Sequence, residues 1–206
     1  MQYQKLVFVF VVLAFFLTGE AQAAGDPAAG KDKAAACAGC HGADGNSMAP
    51  TFPKLSGQYA AYLVKQVEDF LKNKRKDATM SGMAAAAGGP QDLEDIAAFY
   101  ASQKIMRGTA VESSLAAAGK KFYIKGNQSK GIYGCINCHG KNGKGLARNN
   151  PYFPVIGGQH KEYLKKTLHD FKSGARTNDP AGMMRNIAKL MSDKEINMVA
   201  EYLSGR

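Results

Sequence analysis

The chain has 206 residues, 45% of them hydrophobic, with 27 Lys+Arg against 17 Asp+Glu and a formal net charge of +10. That length suits one medium domain or two small ones, and the ordinary composition excludes a disordered, collagenous or coiled-coil protein. A charge of +10 fits a nucleic acid, a membrane surface or an acidic protein as partner, so the order of residues must choose.

Behind Lys5, twelve apolar residues run unbroken from Leu6 to Leu17, followed by Thr18-Gly19-Glu20 and the small-residue stretch Ala21-Gln22-Ala23-Ala24. This order predicts a secretory signal peptide over 1–23, cleaved after Ala23. A membrane anchor is the alternative, but twelve residues fall short of the roughly 20 needed to span a bilayer. Nothing later is apolar enough to span, so the expected mature protein is exported and soluble, without stable membrane insertion. Export also argues against nucleic acid as its target.

The alanine-rich segment Pro27 to Ala36 reads as an opening helix and runs into Cys37-Ala38-Gly39-Cys40-His41. Further on, Tyr62, Leu63, Gln66, Val67 and Phe70 share one helical face. A short region with Met80 and Met83 precedes a closing helix marked by Leu93, Ile96, Ala97 and Tyr100, with Pro90 suited to its first turn. The pattern breaks at Arg107-Gly108, which places a linker over 105–114 between a first domain, 24–104, and a second, 115–206.

The second half restates the first. Ser114 to Tyr123 reads as its opening helix, and Cys135-Ile136-Asn137-Cys138-His139 follows. Tyr163, Leu164, Thr167, Leu168 and Phe171 form the matching middle face, then come Met183 and Met184. The closing helix shows Ile196, Val199, Ala200 and Leu203, with a capping box at Ser192 and Glu195. Aligned at an offset of 101, Phe52 to Arg75 and Phe153 to Arg176 share ten identities in 24 positions. The chain is therefore read as one small helical domain duplicated in tandem, with no convincing strand.

All four cysteines lie in C-x-x-C-H units. That spacing attaches a c-type haem through two thioethers, and the adjacent histidine is placed to bind the iron. Three other readings compete. A thioredoxin-like pair needs a βαβ setting, a zinc site needs the two motifs to converge, and two disulfides leave both histidines unexplained. Two covalent haems also explain how halves of this size find enough buried surface. An electron carrier needs a fixed sixth ligand, and a soft thioether supplies one that favours ferrous iron. Met80 and Met184 sit in equivalent loops, 39 and 45 residues after the respective histidine, so one methionine of each pair is expected to ligate and the other to pack.

These motifs, with the segments Phe52-Pro53-Lys54-Leu55-Ser56-Gly57-Gln58 and Phe153-Pro154-Val155-Ile156-Gly157-Gly158-Gln159 and a Tyr-Leu helix after each, closely resemble the dihaem cytochromes of the c4 type. The resemblance runs from about Gly25 to Arg206. It implies an all-α fold of two tandem cytochrome c domains, each wrapped around one covalent haem c. It implies covalent attachment at Cys37, Cys40, Cys135 and Cys138, and axial ligation by His41 with Met80 and His139 with Met184. Met83 and Met183 are the alternatives. A proline carbonyl among Pro50, Pro53, Pro151 and Pro154 would receive the axial histidine's proton. Arg75, Arg176, Tyr62 and Tyr163 are candidates for the haem propionates, with solvated helix ends and ring-edge packing as the ordinary alternatives.

The implied function is a periplasmic electron carrier, resting at most on the membrane surface. It would work between respiratory redox proteins, a membrane-bound oxidase or reductase with an acidic docking surface, towards a terminal oxidase. A dihaem peroxidase is the rival, but it needs an iron that opens to peroxide. His160 aligns with Tyr59 and His169 with Glu68, so both are read as surface histidines, and the basic run Lys72 to Lys76 as a solvated face that can steer docking.

Overall fold

The computed structural model describes residues 25–109, 113–146 and 150–206. The expected signal peptide and the middle of the expected linker lie outside them. Every regular element among the described residues is helical, apart from one isolated bridge between Asn127 and Ile132.

In the first half, α1 (Pro27–Lys33) is opened by Asp26, whose carboxylate accepts from Ala28 N–H at 2.8 Å, and α2 (Ala35–His41) follows after one residue. Then come α3 (Ala60–Leu71), the single turn α4 (Met80–Met83) with a 3-10 turn over Ala84–Ala87, and α5 (Pro90–Ser102). In the second half, α6 (Ser114–Lys125) is capped by Ser113 Oγ, which accepts from Ala116 N–H at 3.0 Å. The short α7 (Ile136–His139) carries the second motif; α8 (Lys161–Ser173), α9 (Met183–Leu190) and α10 (Asp193–Ser204) complete the chain. The capping box at Ser192 and Glu195 and the first-turn position of Pro90 are as the sequence predicts.

In each half the opening helix crosses the closing one, α1 on α5 and α6 on α10. Glycine makes the crossing possible. A Cβ on Gly30 would stand 1.9 Å from the Asp95 carbonyl oxygen, and one on Gly119 1.9 Å from that of Met198. Each half then has its own apolar core. Leu63, Leu93, Ile96, Ala97 and Tyr100 build the first, and Phe122, Tyr123, Leu164, Ile196, Val199 and Leu203 the second. Burying side chains of this kind is worth roughly 1.5–3 kcal/mol each before chain entropy is counted.

A third cluster, Tyr59, Met106 and Val155 with Tyr62 and Ile105 against it, lies between the halves. The connector is part of it. Met106 is fully buried, its N–H donates to Ser56 O at 3.1 Å, and its carbonyl accepts from Lys144 Nζ at 2.8 Å. The chain between the halves is thus packed in at this point rather than a loose tether.

Candidate haem centres

Helix geometry explains why the motif works. Positions i, i+3 and i+4 share a face, so Cys37, Cys40 and His41 on α2 address one side, and Cys135, Cys138 and His139 at α7 do the same. All four thiols are free. The two motifs stay apart, and no group of three or more His, Cys, Asp or Glu among the described residues is arranged to hold a metal ion. The helical setting is not the βαβ frame of a thioredoxin-like pair, and among the described residues the two motifs do not converge on one point as a shared zinc site would need. Burial pushes the Cys135 thiol up to about 11 and the Cys37 thiol upward as well, so neither is a ready thiolate ligand.

Each motif histidine is oriented by a proline carbonyl. His41 Nδ1 donates to Pro53 O at 2.8 Å, and His139 Nδ1 to Pro154 O at 3.0 Å. Pro53 and Pro154 therefore take the role that the sequence left open among four prolines. Burial lowers the affinity of both rings for a second proton, against the pull of these carbonyls. A neutral ring whose Nδ1–H is committed has Nε2 left as its donor atom.

Both histidines line one continuous cavity of about 1040 Å³ that runs across the two halves. Its walls are largely apolar, with Phe52, Leu63, Phe70 and Ile96 on one side and Phe153, Leu164, Phe171 and Val199 on the other. Cys37, Met80, Cys135, Cys138, Met183 and Met184 also line it. Met83 does not, and it is 44% exposed. In the second half Met184 is half-buried while Met183 is 39% exposed. Neither His160 nor His169 reaches the cavity.

Two polar features suit an anionic, ring-shaped guest. Among the described residues the Tyr100 hydroxyl is buried at the cavity with no hydrogen-bond partner. Arg176 is also buried, and among the described residues it has only neutral partners. Its Nη2 donates to Gln66 Oε1 at 2.8 Å and to the Tyr62 hydroxyl at 3.2 Å, and its Nε donates to Asn178 Oδ1 at 2.9 Å. Arg75 Nη2 returns the contact to the Tyr163 hydroxyl at 3.1 Å, and each guanidinium stacks on its own half's Phe70 or Phe171. Burial raises the Tyr163 phenol, yet Arg75 and Arg176 outweigh it and hold the group at about 8. A buried field this positive calls for an anion, and haem propionates have that charge.

One alternative falls away and one expectation changes. Arg75 and Arg176 are not solvated helix ends, since both reach across the boundary between halves. His160 is not a surface residue: its Nε2 meets Ser47 Oγ at 2.9 Å and Ser47 O at 3.0 Å in the other half. Because its N–H follows Gln159 at the entry of α8, the fold carries the ring to that boundary. The sequence reading also passed over Gln58 and Gln159, although both stand among the ten identities of the repeat.

The cytochrome c family model matches residues 27–104 and 116–206. Cytochrome c4 of Pseudomonas aeruginosa is 46% identical over 198 residues, covering 96% of each chain. The thiosulfate dehydrogenase electron acceptor of Stutzerimonas stutzeri is 36% identical over 201 residues, 94% of this chain and 91% of the relative. The crystal structure of reduced recombinant cytochrome c4 from Pseudomonas stutzeri superposes with a TM-score of 0.82 at 43% identity, over 88% of this chain and 99% of that one.

Proposed function

The chain belongs to the cytochrome c family, as a tandem dihaem member of the c4 type, and from that premise we propose that it passes electrons between periplasmic redox proteins through two His/Met-ligated haems. It carries two haem c groups and is an electron carrier. Each haem supplies a reversible one-electron ferric/ferrous couple when bound.

The residues divide the remaining work. Cys37 with Cys40, and Cys135 with Cys138, hold the porphyrins by thioethers. His41 and His139 offer Nε2 to the irons, fixed in orientation by Pro53 and Pro154. Met80 and Met184 offer thioethers from α4 and α9. The observation that carries this reading is that each half brings a proline-oriented histidine and a methionine to the same apolar cavity. Held by two fixed ligands, a bound iron would change charge with little rearrangement, and the apolar walls would exclude water from it. We take the domains as 24–104 and 115–206 with the linker between them, behind a signal peptide over 1–23.

The charge distribution supports an acidic partner at the second half. Residues 113–206 hold 16 Lys+Arg against 6 Asp+Glu, whereas 25–109 hold 10 against 9. Tyr133, 77% exposed, also lines the cavity and marks a route to the surface there. No helix among the described residues is long and apolar enough to cross a membrane. A relative named as the electron acceptor of a thiosulfate dehydrogenase supports an oxidoreductase as donor, and a terminal oxidase or another respiratory protein is the acceptor we propose.

Visible spectra of the ferric and ferrous protein, with and without carbon monoxide, test the ligation. Two low-spin haems indifferent to carbon monoxide are expected. Ready carbon monoxide binding at one haem would overturn the closed-iron reading in favour of a peroxidase-like enzyme.

A further inference from the structure

The two halves grip each other through a pair of glutamines. Gln159 Oε1 accepts from Lys54 N–H at 2.9 Å while its Nε2 donates to Lys54 O at 2.9 Å. Gln58 does the same to Val155, with Oε1 accepting from the N–H at 3.0 Å and Nε2 donating to the carbonyl at 2.8 Å. Both amides are buried, at 5% and 4% exposure. Each Oε1 is anchored in its own half as well, by His160 N–H at 2.9 Å and Tyr59 N–H at 3.0 Å. The amide group is held from both sides, so its place relative to the opposite backbone is fixed.

The backbone it holds is the one that matters to the iron. The N–H of Lys54 belongs to the same peptide unit as the carbonyl of Pro53, which receives the Nδ1 proton of His41. The N–H of Val155 shares its unit with Pro154 O, which receives that of His139. A peptide whose N–H is donated becomes a better acceptor at its carbonyl, by about 10–30% per bond. A stronger acceptor at Nδ1 makes the imidazole a stronger donor at Nε2, which favours ferric iron and lowers the potential.

We propose that Gln159 and Gln58 are positioning residues, each setting the reduction potential of the haem in the opposite half through the peptide that orients its axial histidine. The proposal rests on His41 and His139 being iron ligands. It makes the potential of each haem depend on how the other half is seated, so that a partner shifting one half alters the driving force at the other.

The test is a pair of variants of the dihaem protein, Gln159→Leu and Gln58→Leu. Both potentials are measured by spectroelectrochemistry, with the haems assigned to their halves by NMR. Gln159→Leu is expected to raise the potential of the His41 haem by about threefold in its reduction equilibrium, which is about 28 mV at 59 mV per tenfold. The His139 haem should move much less, and Gln58→Leu should give the mirror result. A shift confined to the mutated half, an equal shift in both haems, or none would overturn the proposal. In the reduced protein the His41 Nδ1–H resonance should move upfield in Gln159→Leu, and an unmoved resonance also overturns it.

Should the leucine variant fail to mature, Gln159→Glu keeps the acceptor for Lys54 N–H and is expected to show no rise at the His41 haem. A rise there would count against the proposal. Failure of the ligand reading is seen separately, as a wild-type spectrum that lacks the low-spin His/Met form.

Discussion

Arg176, on the loop after α8, donates to the hydroxyl of Tyr62 on α3 of the other half at 3.2 Å, and Arg75 mirrors it on Tyr163 at 3.1 Å. Neither contact supplies a negative charge; each guanidinium also lies over a phenylalanine face, and the Asp77 carboxylate is the charge whose field reaches Arg75. In the haem-loaded protein, Arg176→Met should lower the potential of at least one haem by an amount on the order of 1 kcal/mol, because a buried cation that favours ferrous iron is gone. Redox titration of the two haems checks this. Unchanged potentials would mean that Arg176 serves only to pack the boundary.

The methionine pairs separate by placement. Met80 and Met184 are half-buried at the cavity, while Met83 and Met183 are exposed. Met184→Ala should leave the second haem attached, open its iron to carbon monoxide and lower its potential. Met183→Ala should do none of these. Met80→Ala and Met83→Ala should divide in the same way at the first haem. Absorbance spectra with carbon monoxide read all four variants, and an unchanged spectrum in Met184→Ala would pass the role to Met183.

What the sequence could show and what it could not divides along chain distance. Local signals carried through: Pro90, the Ser192–Glu195 box and the C-x-x-C-H spacing act within a few residues, and each stands where its neighbours put it. The Gln159–Lys54 and Gln58–Val155 pairs join residues roughly a hundred positions apart. Their partners are backbone atoms, which leave no trace in residue type. His160 gave a misleading sign for the same reason, since Tyr59 at its repeat position carries no hint that Ser47 lies opposite. Met80 was hard to separate from Met83 because the halves differ here. The first half uses one helical turn and a 3-10 turn where the second has the continuous helix α9.

Gly119 sits at the crossing of α6 and α10. With a Cβ only 1.9 Å from the Met198 carbonyl oxygen, α6 must lift from α10 to admit even alanine. Overpacking of this kind costs about 1–3 kcal/mol. Gly119→Ala should therefore lower the melting temperature of the haem-loaded protein by several degrees. Gly30→Ala should do the same in the first half, where its Cβ would meet the Asp95 carbonyl oxygen. By contrast, Gly39→Ala should be nearly neutral to stability, because a Cβ there meets nothing within 4 Å. Scanning calorimetry compares the three, and a stable Gly119→Ala would mean the crossing has slack.

Acid should loosen the second half through Glu195. Burial raises this carboxyl, but Lys130 at 2.8 Å, Asn127 at 2.8 Å and the Ser192 N–H at 2.7 Å outweigh it and hold it at about 2, below the ordinary 4.5. A folded-state value below the unfolded one means that unfolding takes up a proton. The contribution to stability is therefore full above about pH 4.5 and is lost as the pH falls towards about 2. Its size is on the order of 3 kcal/mol at 1.36 kcal/mol per unit. Glu195→Gln should lose most of that at neutral pH, and between pH 5 and pH 2 its denaturation midpoint should fall less steeply than that of the wild type. Parallel acid limbs in the two proteins would place the acid sensitivity elsewhere, with Asp95, held at about 2 by Lys33 and the Asp26 N–H, as the next group to replace.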